Sequence, residues 1–194
     1  MLYFNPELHH RHSYRLKHWD YSSHGYYFIT VCIKNRQLYY FGKINNNEII
    51  LNNIGKIIKQ NWLNISKHFN NIKLDEYIIM PNHMHGIIQI LNNYRKNVTK
   101  QYQYIHTVGT CHGMSLQNTR QFSHPQKNSL SMIINHFKSS CTRILKQNNQ
   151  IYVSFWQPRF HDRVIRNEKE LCAIRQYIKD NPKNWYQDRN FIFY

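Results

Sequence analysis

The stretch LDEYIIMPNHMHGIIQIL, residues 74–91, decides the fold of this chain. Its first part, Leu74 to Met80, has the aromatic and β-branched character of a strand, and His83 to Leu91 is a second apolar run of similar length. Pro81 and Asn82 separate the two runs, and these residue types favour the central positions of a tight turn. The stretch therefore predicts a β-hairpin, two antiparallel strands joined by a short turn.

Two histidines lie two residues apart on the second of these predicted strands. Alternate residues of a strand point to the same face, so His83 and His85 project together while Met84 points to the opposite side. Two imidazoles held in this way can bind one metal ion. Two incidental histidines explain the spacing equally well, because the pattern is short and the chain has 13 histidines. A binuclear zinc hydrolase of the HxHxD type is disfavoured, since Ile87 stands where its carboxylate would be.

Strand and helix patterns alternate on both sides of the hairpin. Tyr26 to Lys34 is typical of a buried strand and Gln37 to Ile44 of a second strand, and an Asn-rich turn then leads to the short stretch Glu48 to Leu51. Apolar residues at helical spacing predict one amphipathic helix from Asn53 to Phe69 and another from Leu130 to Leu145.

The C-terminal part predicts a last strand and a last helix. Residues from Trp156 to Ile165 lead into the strand, Asn167 with Glu170 forms a capping box, and Pro182 ends the helix. The order β-β-α-β-β-α-β-α indicates one α+β domain over residues 1–194, an antiparallel sheet with helices packed on it. The polar, aperiodic stretch 92–127 is predicted to be a long insertion in this domain.

The charge balance points to a polyanionic partner. The chain has 26 Lys and Arg but only 10 Asp and Glu, which gives a net charge of +16. No apolar run approaches the roughly 20 residues of a membrane span, and no basic amphipathic helix stands out, so nucleic acid is favoured over a membrane surface. The four cysteines are widely spaced, which favours reduced thiols in a cytosolic protein over a zinc knuckle: Cys32, Cys111, Cys141 and Cys172.

A second candidate site segment lies on the last predicted helix. Tyr177 and Asn181 are four residues apart and share one helical face, while Ile174 and Ile178 form the neighbouring apolar stripe. A tyrosine beside a metal is a competent nucleophile toward a phosphodiester, and Asn181 can add a neutral oxygen ligand suited to Mg²⁺ or Mn²⁺. Among 15 tyrosines, Tyr177 alone is better explained by packing. Only its combination with the histidine pair favours catalysis.

These segments resemble a known family. YIIMPNHMHGII, Tyr77 to Ile88, is similar to the HUH motif of single-tyrosine HUH transposases, and RQYIKDNPKNW, Arg175 to Trp185, resembles the tyrosine helix of the REP-associated tyrosine transposases. MPNHMHG together with YIKDNPKNW is strongly specific, whereas the HUH tripeptide alone is not. Further similar segments occur in the order of the family: Trp19 to Arg36, His136 to Arg143 and Trp156 to Glu168.

The resemblance implies a ferredoxin-like α+β fold with the HUH motif on a central strand. It implies that His83 and His85 bind a divalent metal, Mg²⁺ or Mn²⁺, that Asn181 is the third ligand, and that Tyr177 attacks DNA to form a 5′-phosphotyrosine. The implied substrates are single-stranded or hairpin DNA with palindromic repeats, handled by a monomer or homodimer in the bacterial cytoplasm near the nucleoid. His161 departs from the pattern, because an aromatic residue is expected there, and the 92–127 insertion is unmatched.

DNA contacts are predicted for a set of basic residues near these motifs rather than for any one of them. Trp156 and Phe160 can stack on bases, although core packing is the more common role of such residues. Two rival functions stay open: a DNA-hairpin-binding protein without nicking activity, and a nickase of the replication-initiator or plasmid-mobilising type. The predicted phosphate contacts are Arg36, Lys138, Arg143, Arg159, Arg163 and Arg166.

Overall fold

The computed structural model describes residues 15–16, 19–92, 126–149 and 155–188. The predicted insertion at 92–127 therefore lies almost entirely outside the described residues. The strands are β1 (Gly25–Cys32), β2 (Gly42–Asn45), β3 (Glu48–Leu51), β4 (Ile72–Ile79), β5 (His83–Ile90) and β6 (His161–Ile165). The helices are α1 (Asn53–His68), α2 (Leu130–Gln147) and α3 (Glu168–Asp180), followed by a short 3₁₀ turn at Trp185–Gln187.

Four strands form an antiparallel sheet in the order β4-β5-β1-β6. The units β1-α1-β4 and β5-α2-β6 interleave in this sheet, which is the ferredoxin-like arrangement. The predicted fold class is thus confirmed. Strand β5, which begins at His83, is one of the two central strands, because it lies between β4 and β1.

The predicted strand at Gln37–Ile44 is wrong in its first part. The side chain of Asn35 accepts a hydrogen bond from Gln37 N, and its carbonyl accepts one from Leu38 N, so this backbone is held in a turn. The strand begins only at Gly42 and pairs with β3 in a separate hairpin outside the main sheet. Gly42 permits this pairing, because a Cβ atom there would collide with the backbone of Ile50.

Helices α1 and α2 cover one face of the sheet and enclose the main core. Met84 and Ile88 of β5 point into this core together with Trp62 of α1 and Phe137 of α2. Gly86 lets the helix layer approach closely, since a Cβ atom there would lie 2.5 Å from the Trp62 ring. None of the helices in the described part of the chain has the length and apolar character that crossing a membrane requires.

Helix α3 packs on the opposite face of the sheet, over a much smaller apolar cluster. Arg175 fixes it to β4 with two hydrogen bonds to the Asp75 carboxylate, of 2.9 and 2.6 Å. Asp75 lies where the β4–β5 register shifts, and the bonds from Arg175 lower the pKa of its carboxyl group. Asn167 caps the helix as predicted, by accepting a hydrogen bond from Glu170 N. The cluster beneath α3 consists of Ile87, Ile165, Leu171 and Ile178.

The described cysteines are single thiols. Cys32 and Cys141 are buried and Cys172 is exposed, while Cys111 lies outside the described residues. Burial raises the pKa of the Cys141 thiol far above its usual value, so this residue behaves as a small core side chain.

Candidate active site

The two histidines of β5 face α3 and converge on one point. His83 and His85 are 0% and 1% exposed, and their Nε2 atoms lie 3.1 Å apart. Met84 between them points into the main core, as the strand alternation predicts. Two imidazoles that are buried with their Nε2 atoms facing each other form a ready-made pair of nitrogen ligands.

The tautomer of His83 follows from its hydrogen bonds. The Asn82 amide nitrogen donates to the backbone carbonyl of Arg36 over 2.7 Å, and a carbonyl can only accept. The amide oxygen of Asn82 must therefore face His83 Nδ1, which lies 2.8 Å away and carries the proton of this bond. The lone pair of His83 is then on Nε2, directed toward His85. A hydrogen-bond acceptor on the ring nitrogen that does not bind the metal fixes the orientation of a metal-binding imidazole.

His85 is held from the neighbouring central strand. Thr30 lies opposite His85 in the β1–β5 register, and its hydroxyl is 2.8 Å from His85 Nδ1. The ring of Phe28 stacks on the imidazole at 5.3 Å. When His85 Nδ1 donates to the Thr30 hydroxyl, the lone pair of His85 lies on Nε2, as it does in His83. The two Nε2 lone pairs then face each other across 3.1 Å, which favours a cation between them.

The spacing of the two nitrogens fits a divalent metal. Ligands about 2.1 Å from a metal in neighbouring octahedral positions lie about 3.0 Å from each other. The observed Nε2–Nε2 distance of 3.1 Å matches this geometry.

Tyr177 of α3 brings its hydroxyl to the same point. The hydroxyl oxygen lies 3.2 Å from His85 Nε2, and the ring packs edge-on against His85 and Phe28. The side chain is nevertheless 46% exposed. The phenol is therefore adjacent to the histidine pair and open to solvent.

Two further oxygen donors lie beside the histidines. The predicted ligand Asn181 ends α3 and is 3% exposed, and its amide oxygen is buried with no hydrogen-bond partner in the described part of the chain. Asp188, which the sequence patterns did not predict, has a carboxylate oxygen 3.9 Å from His83 Nε2 and accepts a 3.4 Å hydrogen bond from the Asn181 amide nitrogen. Candidate ligand atoms of His83, His85 and Asp188 lie within 4.8 Å of one another.

The short turn after α3 explains why Asp188 was missed. Residues three apart in a 3₁₀ turn lie on the same side, so Trp185 and Asp188 both face the site. The Trp185 ring stacks on His83 with ring centres 6.0 Å apart and packs against Tyr39. The chain has no periodic pattern after Pro182 that could have indicated this turn. Asp188 also lies beyond the motif that ends at Trp185.

The predicted DNA contacts occupy different parts of the molecule. Arg36 lies next to the site through its backbone bond to Asn82, and Arg159 is exposed just before β6. Arg163 is on the site face of β6 and forms a 2.6 Å ion pair with Glu170. Arg143 is exposed on α2, far along the chain from the tyrosine helix.

The position of Lys138 speaks against a direct phosphate contact. Its side chain is buried on α2, and its ammonium group donates to the carbonyls of Gln157, Pro158 and Arg159. Burial also lowers its pKa. Trp156 is 4% exposed and packs in the main core, so it is not available to stack on a base.

Comparisons with known proteins agree with this fold. The chain is 38% identical over 192 residues to an uncharacterised protein of Haemophilus influenzae, and the match covers 97% of each chain. No protein-family model matches the chain. Among solved structures, a REP-associated tyrosine transposase bound to a REP hairpin is similar with a TM-score of 0.57 and 17% identity, over 90% of this chain and 74% of that one.

A weaker likeness is to a Deinococcus radiodurans R1 protein described as a candidate transposase. Its TM-score is 0.43 at 13% identity, over 86% of this chain and 97% of that one. The chain thus belongs to the family of the Haemophilus influenzae protein and shares the fold of a REP-associated tyrosine transposase.

Proposed function

We propose that this protein is a single-tyrosine transposase that cleaves and rejoins single-stranded DNA through a covalent 5′-phosphotyrosine. The observation that carries the proposal is the hydroxyl of Tyr177, 3.2 Å from the Nε2 atom of His85. The hydroxyl of Tyr177 on α3 and the two imidazoles of β5, which are distant in sequence, meet at one point. The sequence motifs and the transposase fold of a solved structure support the same function.

A divalent metal, Mg²⁺ or Mn²⁺, fits the donor atoms that surround this point. His83 and His85 would hold it through Nε2, and the orphaned amide oxygen of Asn181 and the carboxylate of Asp188 would add oxygen ligands. When bound, the metal supplies positive charge that stabilises the phosphate in its transition state. The predicted set of His83, His85 and Asn181 is therefore extended by Asp188.

Tyr177 would carry out the bond exchange. Its oxygen attacks the scissile phosphorus in line and its proton leaves to solvent. The P–O3′ bond breaks, and the departing O3′ takes a proton from solvent to become a 3′-hydroxyl. The same 3′-hydroxyl, or one from another strand, then attacks the phosphotyrosine. This step forms a new phosphodiester bond in DNA and releases Tyr177 as the free phenol. One phosphodiester is exchanged for another at each step, so no ATP is required. The 46% exposure of Tyr177 leaves the approach that the DNA needs.

Helix α3 has to keep this oxygen in place within fractions of an ångström. The Arg175–Asp75 bonds attach the middle of the helix to β4, and Lys179 lies 3.4 Å from Glu76 of the same strand. The helix also rests on Ile87 and Ile165 through Leu171 and Ile178. Together these contacts orient the nucleophile before DNA arrives.

The solved structure with the same fold was obtained with a REP hairpin. We extend that to this chain: its substrates are single strands next to a hairpin, such as palindromic repeats. The net charge of +16 supports a nucleic-acid partner. With one tyrosine per site, successive cleavages need either strand exchange at one site or a second subunit.

A covalent capture experiment tests the proposal. End-labelled single strands that carry a hairpin with flanking sequence, taken from any inverted repeats beside the gene, are incubated with the protein and Mn²⁺ or Mg²⁺. We expect a denaturation-resistant protein–DNA adduct that Tyr177→Phe abolishes. Tyr186→Phe is the matched control, because this tyrosine is also exposed (64%) and lies on the turn that covers His83, and it should retain the adduct.

The same assay separates the rival functions. No adduct on any hairpin substrate, with intact binding, would favour the hairpin-binding protein. An adduct without transfer of the cleaved end to a second DNA would favour the nickase.

A further inference from the structure

Helices α1 and α2 differ from the rest of the molecule in their charges. Neither helix contains an Asp or Glu residue. Within the described residues, every ion pair lies elsewhere, on β4, β5, β6, α3, Arg15 or the segment after α3. In the described part of the chain, the positive charge of this layer is therefore not offset by ion pairs. Its exposed cations are Lys56, Lys59, Lys67, Arg143 and Lys146, whereas Lys138 is buried.

A groove of about 800 Å³ runs between the C-terminal half of α2 and residues 156–158. Arg143 and Lys146 are exposed along it and lie three residues apart, on one side of the helix. Ser139 and Thr142 add hydroxyl groups, and no acidic residue lines the groove. Lys138 fixes its far wall, because the ammonium group ties the carbonyls of residues 157–159 to α2.

We infer that this groove binds the phosphate backbone of duplex DNA, such as a hairpin stem. The inference rests on the proposed function for its biological setting. Arg, Lys, Ser and Thr side chains are the groups that contact phosphates in protein–DNA complexes. DNA phosphates bind exposed Lys and Arg side chains favourably, because their neutralisation releases counterions from the DNA.

The distribution of exposed aromatic residues decides between duplex and single strand. Single-strand binding uses exposed rings on which bases stack. The exposed aromatics of the described residues are Trp19, Tyr177 and Tyr186, and none of them lines the groove. Among the described residues that line the groove, the only aromatic one is Trp156, which is 4% exposed. Single-stranded bases are therefore directed to the α3 face, and the groove contacts backbone only.

Binding to two synthetic probes tests this inference. One probe is a fluorescent DNA hairpin with a 12-base-pair stem, and the other is a single strand of 25 thymidines. The protein carries Tyr177→Phe and is kept in EDTA, so that no cleavage occurs. The groove variant is Arg143→Gln with Lys146→Gln, and the matched control removes the same charge from α1 with Lys56→Gln and Lys59→Gln.

For the hairpin, we expect the groove variant to lose about 10- to 100-fold in affinity near 0.1 M salt and its log–log salt slope to fall by about 2. Its affinity for the thymidine strand should stay within about threefold of the parent. Circular dichroism and thermal unfolding establish that both double variants are folded.

Two outcomes overturn the inference: equal loss of hairpin affinity in the groove and control variants, or equal loss for both probes in the groove variant. The capture experiment on Tyr177 is independent of this one. If the adduct forms but the groove variant keeps its hairpin affinity, only the groove inference is wrong. If the groove variant loses hairpin affinity but no adduct forms, only the proposed chemistry is wrong.

Discussion

The two faces of the sheet use charge in opposite ways. On the α3 face, acidic and basic side chains are paired, as in Arg175–Asp75 and Arg163–Glu170. On the α1–α2 face, the helices have cations without any acidic residue. The difference matches the apolar contacts. Helices α1 and α2 share a large buried core, whereas α3 rests on a small cluster and needs directional bonds to fix its position.

The comparison teaches where positional accuracy comes from. A large apolar core gives stability without requiring one exact orientation of an exposed side chain. Bidentate ion pairs and helix caps restrict rotation and sliding of a helix, which a nucleophile on that helix requires. The face with the candidate active site therefore has the paired charges, and the opposite face keeps its cations available for a polyanion.

The largest effect is expected for the outer support of His83. Asn82→Ala removes the acceptor of the Nδ1 proton, so the imidazole can adopt the other tautomer and direct a proton at the metal position. We expect Mn²⁺ affinity to fall about 10- to 100-fold, as is usual when such a support is lost. Calorimetric titration measures the affinity, and ¹⁵N NMR of the metal-free protein reports the tautomer.

His161→Ala is the control for Asn82→Ala. His161 lies on the same face of the sheet, opposite Thr30 on the edge strand, and is exposed. Its removal should leave both readouts close to the parent. Unchanged Mn²⁺ affinity and an unchanged Nδ1–H tautomer in Asn82→Ala would show that the amide does not orient His83.

The next effect concerns the attachment of α3. Asp75→Asn keeps the size of the side chain but removes the charge that Arg175 holds, and should lower the free energy of unfolding by about 1–3 kcal/mol at neutral pH. Bonds from Arg175 lower the pKa of the Asp75 carboxyl group below its usual value. The stabilisation is therefore present above about pH 4 and is lost as the pH falls through the folded-state pKa.

Urea unfolding at pH 7 and pH 3 measures this difference. The parent and Asp75→Asn should differ at pH 7 and approach each other at pH 3. Glu168→Gln is the control, because this acid also faces Arg175, at 3.4 Å, but is 74% exposed, and its loss should cost less than about 0.5 kcal/mol. A deficit in Asp75→Asn that is the same at both pH values would assign the effect to packing instead of charge.

Local patterns predicted much of the fold. The helices at Asn53 and Leu130 begin where apolar periodicity indicated, and Asn167 caps α3, because caps and amphipathic stripes are set by neighbours in sequence. The predicted start of a strand at Gln37 was wrong, because the Asn35 side chain accepts a hydrogen bond from Gln37 N and holds the backbone in a turn. No local sequence pattern indicates this hydrogen bond. Placing the histidine strand at the centre of the sheet came from the family resemblance.

The site was predictable only where a regular element carries it. His83, His85, Tyr177 and Asn181 lie on a strand and a helix; His83, His85 and Tyr177 meet directly, and Asn181 is linked to His83 through Asp188. Asp188 lies beyond the last helix, and its closeness to His83 depends on a turn that only tertiary packing of Trp185 defines. Lys138 resembled a solvated cation for the same reason, because its partners are carbonyls of residues 157–159, about 20 positions away.

The smallest effect concerns protonation of a histidine on the α1–α2 face, where the helices carry cations but no acidic residue. The ring centres of His136 on α2 and His68 lie 4.6 Å apart, and burial, His68 and Arg143 together lower the pKa of His136 below its usual value. The folded state therefore binds fewer protons than the unfolded state just below pH 6.5, so stability should fall as the pH decreases from 7 to 5. His136→Phe should flatten this part of the curve by less than about 1 kcal/mol, because solvent screens the pair.

Urea unfolding across this pH range measures the slope, and His68→Gln is the control. This change removes one of the groups that disfavour protonation of His136, so it should reduce the slope only partly. Equal slopes in the parent and His136→Phe would mean that the α1–α2 face accommodates one more positive charge without cost. The contrast with the α3 face would then lie in geometry alone, because the unpaired cations would not repel each other enough to matter.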